Sequence, residues 1–473
     1  MFRYNFIYEL KGLLRSKWIQ LLSVILLLLF GFSVLNGHKK VEQRQRNIAL
    51  AKSEVQENDQ MMVQLLDSVE NGMTVSATRW TIPTSPMVVG NAHPRVAAME
   101  VQPMAFISTG QADIFTHYVK PTVSGDDFAL NFTEMTSPVQ LLFGSFDLAF
   151  VIVYLLPLII IAFSYNVFSA EKESGSLKLL ASQPISIKNW ILQKLMLRFM
   201  WLAILVISML IVVFLLSGIN PFQNTTSFLQ LVGLALGYML FWFSLVFLVN
   251  LWVGSSARNA VSLLGLWVLF VLLIPSVLNQ LGSSLYPMPS RTLMINEMRS
   301  LKAEVTKKQD EILDNFLRDH PEYAINDKSQ SRGFYHRYMA SQKLVKEELA
   351  PVISAYEDQL QKQQNWVGRF KWISPAIITQ ESLNKMAGTA YEDYENYRKQ
   401  VVIFAGEWRE HLLPFLYNNT VFTKADVANL PAFKYKNDSG PSVASLAIVL
   451  IALMLFGSGF VISRKHAVHN VLN

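Results

Sequence analysis

The chain has 473 residues, of which 51% are hydrophobic and only 16% charged, with a net charge of +6. A soluble domain carries about 25% charged residues, so the composition excludes a disordered chain and argues against a soluble enzyme. What the apolar excess means depends on where it lies.

It is concentrated. Residues 1–17 form an amphipathic, basic opening helix. Six segments then meet the criterion of about 20 predominantly apolar residues per ~30 Å of hydrocarbon: residues 18–36, 147–168, 191–216, 228–253, 261–281 and 443–463. None has a charge at its centre. Asp147, Lys194 and Arg198 fall near span ends, where ionised groups reach the interface. The first span is longer than a signal h-region and is followed by Asn36-Gly37-His38, a poor cleavage site, so it reads as a retained anchor. Pro157 and Pro275 predict kinks in the second and fifth spans. Pro275 reads as ordinary packing, while Pro157 is a candidate hinge.

Between the first two spans lie residues 37–146. His38 to Val69 reads as a helix that continues the first span out of the membrane. Beyond it Pro83, Pro86, Pro94 and Pro103 break any helix, and Met73 to Ile82 and Val101 to Ser108 look β-type, so a small mixed α/β unit is expected. Between the last two spans lie residues 282–440, mainly helical by pattern. Met298, Leu301, Val305 and Ile312 form one stripe, with Lys308 where another apolar residue would sit, and Val345, Leu349, Val352, Tyr356 and Leu360 form a cleaner one. The polar stretch Asp319 to Gly333 predicts a turn joining the two as an antiparallel hairpin.

Lys and Arg placement gives orientation. With the N-terminus inside, the inner segments hold twelve basic residues against Glu9, Glu171 and Glu173, a balance of +9, which leaves −3 of the total +6 for everything outside. The basic character is therefore a topology signal, not a nucleic-acid one. The chain reads as a polytopic α-helical membrane protein with six transmembrane helices, both termini cytoplasmic, two large periplasmic insertions and a cytoplasmic tail at 464–473. With no cysteine, the outside segments must hold together by packing, which suits a bacterial inner (cytoplasmic) membrane facing a periplasm.

Catalytic chemistry is not visible. No P-loop, GxGxxG, GxSxG or HExxH occurs, His466 and His469 lack a third ligand, and Asp126-Asp127 sit in a Ser-Gly loop. Nothing marks a cofactor or metal site, and ATP hydrolysis would have to occur on another chain.

Residues 169–190 join the second and third spans on the inner side. Glu171 and Glu173 stand at the membrane mouth, a break follows at Gly175, then an apolar cluster with Leu177 and Leu180, and Pro184 ends the helix. Physically this is either a lever on which a soluble partner docks or an interfacial helix lying on lipid. The stretch resembles the signature of type 2 ABC exporter permeases, roughly Glu-basic-Glu-x-Gly-Thr/Ser-Leu-x-x-Leu-Leu-x-x-Pro, with Glu171, Lys172, Glu173, Gly175, Ser176, Leu177, Leu180 and Pro184 in those places. Residues 1–17 resemble that family's elbow helix. Gly110 to Tyr118 and Phe143 to Phe150 resemble a subfamily with large outside insertions and no assigned substrate.

The resemblance implies a permease subunit of an ABC exporter. Its 169–190 segment is then a coupling helix seated in an ATPase subunit, with ATP and Mg bound on that partner. It further implies a second permease copy or a related permease as partner, alongside membrane lipids. The outside load keeps an alternative open: a mechanotransmitting subunit or membrane scaffold that acts on a periplasmic protein.

Overall fold

The structure, a computed structural model, describes residues 2–75, 78, 81–113, 115–125, 145–176, 187–252, 255–288, 291–321, 334–437 and 444–466. Helix α1 (Phe2–Arg15) is separated by Ser16 alone from α2 (Lys17–Glu70), a single helix of 54 residues. The expected continuation of the first span is thus present. One face carries it: Leu22, Leu26, Phe30, Val34, Gly37, Arg44, Ile48 and Ala51, and beyond a gap Met62 and Leu66, are buried at spacings of three, four or seven residues within each run, those of a helical stripe. The stripe crosses from the apolar half into the charged half as far as Ala51.

The following segment holds both helix and strand, but its described strands are not at the expected Met73 to Ile82 or Val101 to Ser108. It holds a short helix, α3 (Pro86–Ala92), and two antiparallel two-residue strands, β1 (Ala97–Ala98) and β2 (Tyr118–Val119), paired Ala97↔Val119 and Ala98↔Tyr118. Val101 to Ser108 is a run of turns, closed by Ala105 N–H to Gln102 O and Ile107 N–H to Met104 O. Met104, Ala105, Phe106 and Ile107 are consecutively buried. A strand half-exposed on one face would alternate; these residues plug irregular backbone onto α2 instead. The described part of Met73 to Ile82 carries no strand.

Among the described residues five helices are long and apolar enough to cross a membrane: α2, α4 (Leu148–Glu173), α5 (Ile187–Leu216), α6 (Thr225–Trp252) and α7 (Ser256–Leu285). The sixth expected span falls on the last described helix, Ala444–His466, whose described apolar stretch is Ala447–Ser458. Helix α6 is the centre of the assembly, with 78% of its apolar window buried against neighbours, whereas α7 has 17% buried and exposes Val261, Val268, Leu272 and Val277.

Both span prolines sit just after a widened π turn, Val151–Leu155 before Pro157 and Val268–Leu273 before Pro275. Proline lacks the N–H and its ring clashes with the carbonyl four residues back, so the turn opens. The carbonyls left over find side chains. Tyr238 Oη donates to Val153 O at 3.0 Å, Trp267 Nε1 to Tyr154 O at 3.1 Å, and Ser374 Oγ to Phe270 O at 2.6 Å. The two prolines expected to differ in role are therefore built alike.

The second insertion is helical: α8 (Arg291–Lys307), α9 (Gln309–Asp319), α10 (Phe334–Phe370), α11 (Pro375–Ala387), α12 (Tyr391–Tyr417) and α13 (Lys424–Val427). Val305 clusters with Val345 and Leu349, while Leu313 and Leu317 cluster with Met339 and Ala340. Ascending positions on one arm meet descending ones on the other, so the hairpin is antiparallel as expected. The apolar stripe breaks at Lys308, where the helix itself breaks between α8 and α9. Helix α11 leaves this domain and joins the span core: Ala376, Ile378 and Leu383 pack with Tyr238, Val271 and Ile448. Ser374, which caps α11, is the residue bonded to the π turn of α7.

His117 lies between these layers, partly buried, with Arg44, Asp113 and Tyr394 as its charged or titratable neighbours. Burial, and then Arg44, pushes its pKa down to about 3. The unfolded chain takes up a proton below about pH 6.5 that the folded chain refuses, so stability is intact above that pH and falls as pH drops towards 3. Thermal midpoints measured at about pH 7.5 and about pH 5 should fall further for the wild type than for His117→Gln. Equal falls would remove His117 as the cause.

Candidate functional site

The end of α4 is where chain organisation and family resemblance converge. The helix loosens over residues 165–168 and resumes as a last turn, Ser169–Glu173. Two fully buried asparagines from other spans hold this loosened stretch. Asn250 Nδ2 donates to Ser164 O at 3.2 Å, and Phe168 N–H donates to Asn250 Oδ1 at 3.2 Å. Asn259 Nδ2 donates to Tyr165 O at 3.0 Å. Backbone groups freed by an interrupted helix must find partners when water is excluded, and amides supply donor and acceptor from one side chain.

Glu171 and Glu173 then point to different neighbours. Glu171 Oε1 accepts from Lys194 Nζ at 2.8 Å, and its other oxygen accepts from Ser176 Oγ. Lys194 also reaches Glu9 of α1 at 3.4 Å, and Arg198 lies 3.8 Å from the second oxygen of Glu9. Arg198 donates to Phe163 O, and the Lys194 ammonium sits 4.2 Å from the Trp190 ring centroid. The result is a neutral chain of alternating charge, Glu171–Lys194–Glu9–Arg198, that ties the end of α4 to α5 and to α1. Its members are largely shielded from solvent. Glu173 instead caps α7: it accepts from Ser256 N–H at 2.7 Å and from Ser256 Oγ at 2.8 Å. A carboxylate on the free amides of a helix start is favoured by hydrogen bonding and by the helix dipole. Ser169 Oγ adds a 2.8 Å bond to Ser256 Oγ.

Gly175 ends this turn with φ +76°, in the left-handed region. A Cβ there would meet nothing within 4 Å, so backbone conformation alone asks for glycine. Of the residues singled out in sequence, Glu171, Glu173 and Gly175 are thus brought into one cluster. Pro157 lies 14 residues before Glu171 on the same helix, buried in the core. Leu177, Leu180 and Pro184 lie outside the described residues.

Sequence reading missed the partners. Lys194 and Arg198 passed as interface residues, although their i,i+4 spacing sets both on one face of α5. Glu9 is the one acid in an otherwise basic opening helix, and Asn250 and Asn259 are polar residues at the end and start of apolar segments. Those were the available signals.

Residues 127–276 match the family model described as ABC-2 family transporter protein. Residues 291–436 match a domain of unknown function, DUF3526. No curated protein matches. The first match covers α4 to α6, most of α7 and the whole α4–α5 connection, so it falls on the segment that carried the resemblance read from the sequence. The chain is a multi-pass membrane protein in which residues 127–276 are similar to the ABC-2 family of transporter proteins.

Proposed function

We propose that this chain is the transmembrane subunit of an ATP-driven ABC exporter in the bacterial inner membrane. It has six spans, cytoplasmic termini and two periplasmic insertions, and residues 169–190 couple it to a separate ATPase subunit that binds ATP and Mg. A second permease copy or a related permease completes the complex, and the exposed apolar face of α7 offers it and the surrounding lipids a surface. The observation that carries the reading is the double tether at Glu171 and Glu173. Force applied to the turn after α4 reaches α1 and α5 through the charge chain and α7 through the Ser256 cap. A coupling element moves an equilibrium only if its contacts differ between two states. Two short tethers to three helices provide contacts that can be exchanged.

Substituting Glu173→Arg removes the cap and sets a cation against a helix start, and Gly175→Pro forbids the left-handed φ. Each should lower the nucleotide-dependent ATPase activity of the purified complex at least about tenfold, or abolish its assembly with the ATPase. Unchanged assembly and activity in both would overturn the assignment of 169–190.

The mechanotransmitting alternative rests on a different observation. Helix α11 of the second insertion is built into the span core, and Ser374 bonds the π turn beside Pro275. Spans and insertion are thereby mechanically continuous. Purification in mild detergent separates the readings: an ATPase together with a periplasmic protein favours mechanotransmission, and an ATPase with substrate flux into vesicles favours export.

A further inference from the structure

Where α2 passes from its apolar to its charged half, a cavity of about 40 Å³ opens between three segments. Lys40 and Arg44 enter it from α2, Thr109, Asp113 and His117 from the turns around β2, and Thr389 from the loop before α12. Arg44 is only 6% exposed, and its Nε and Nη2 are buried without a hydrogen-bond partner among the described residues. An isolated buried cation is among the most costly things a fold can contain.

The nearby acids do not relieve it. Asp113 accepts from Lys40 at 2.6 Å and from Ser145. Asp147 accepts from Thr109 N–H at 2.7 Å and from Phe150 N–H at 2.9 Å. His117 is held neutral, because Arg44 and burial both oppose its protonation. Asp147 does not line the cavity; among the side chains that do, Lys40 and Asp113 cancel and the guanidinium is left over, so the lining is net positive. The space fits a body the size of one or a few waters. A monatomic anion is of that size.

We propose that this cavity binds a small monovalent inorganic anion, chloride in the first instance, on the guanidinium of Arg44 with Lys40 and Thr109 completing its surroundings. Because the three lining segments come from α2 and from both insertions, the anion acts as a removable pin between them. The inference is independent of ATP coupling.

The test uses the full-length protein in mild detergent, with chloride replaced mole for mole by gluconate at constant ionic strength. Raising chloride from about 1 to about 100 mM should lift the thermal midpoint by a few degrees and then saturate, as linkage requires. Bromide should act like chloride, and Arg44→Gln should abolish the response. A wild type indifferent to the exchange, or an Arg44→Gln variant that responds as strongly, overturns the proposal. Should that variant fail to fold, chloride-nucleus NMR line width on the wild type decides. Excess broadening that bromide displaces supports the site, and none beyond a detergent blank overturns it.

Discussion

Lys194→Met should destabilise the folded chain by about 3–5 kcal/mol, the usual cost of removing one partner from a shielded ion pair. Lys194 is shared between Glu171 and Glu9. Without it, two carboxylates remain with a single cation, Arg198, at 3.8 Å from only one of them. The loss should respond little to salt, because shielded charges are weakly screened. Adding Glu171→Gln to Lys194→Met removes the stranded charge. The double variant should therefore recover about 1–3 kcal/mol relative to the sum of the single ones, as interacting sites do. Unfolding of the purified protein in detergent, run as a full cycle, checks this. Strict additivity would show that Glu171 and Lys194 do not act on each other.

Gly37→Ala should be strongly damaging. A Cβ at Gly37 would sit 2.3 Å from the carbonyl oxygen of Phe106 and 3.2 Å from its carbonyl carbon. Those are backbone atoms of the buried turn 101–108, stacked further by Phe106 on His38 with ring centroids 4.8 Å apart. Neither side can give cheaply, so a cost of about 2–3 kcal/mol is expected. Gly31, two turns earlier in the same helix, meets nothing within 4 Å. There the same substitution should be neutral or stabilising by about 0.5–1 kcal/mol. The midpoint should fall for Gly37→Ala and stay level or rise for Gly31→Ala, and equal falls in both would refute the close approach.

Much of the architecture was readable from composition along the chain. The apolar runs, the helical run 38–69 and the hairpin stripes each report a local periodicity, and local periodicity survives without knowledge of the fold. What escaped is non-local. Glu171 meets Lys194 across 23 residues, and Ser374 meets Phe270 across 104, and nothing in either neighbourhood names the other. Helix α11 was hidden for another reason. Thr379 and Ser382 make it look like a surface helix, yet both hydroxyls donate back to their own helix, to Pro375 O and Ile378 O. That hides their polarity and lets the helix be buried. The turn 101–108 misled because consecutive apolar residues are common to buried strands and buried turns. In the candidate site, the acids and the glycine were legible because a motif singled them out, and their basic partners were not because the motif stops short of them.

The unbroken α2 has a mechanical consequence. At 1.5 Å per residue its 54 residues span about 80 Å, of which about 50 Å extend past the apolar part. The far end is anchored: Lys424 bonds Asp67 at 2.8 Å, and its backbone N–H bonds Glu70 at 2.8 Å. A rotation of only about 5° within the bilayer would swing that end by about 4 Å. Such a displacement exceeds the length of a hydrogen bond. Length alone gives this helix leverage: an angular change of that size at one end becomes, at Glu70, a distance large enough to exchange one set of hydrogen-bond partners for another.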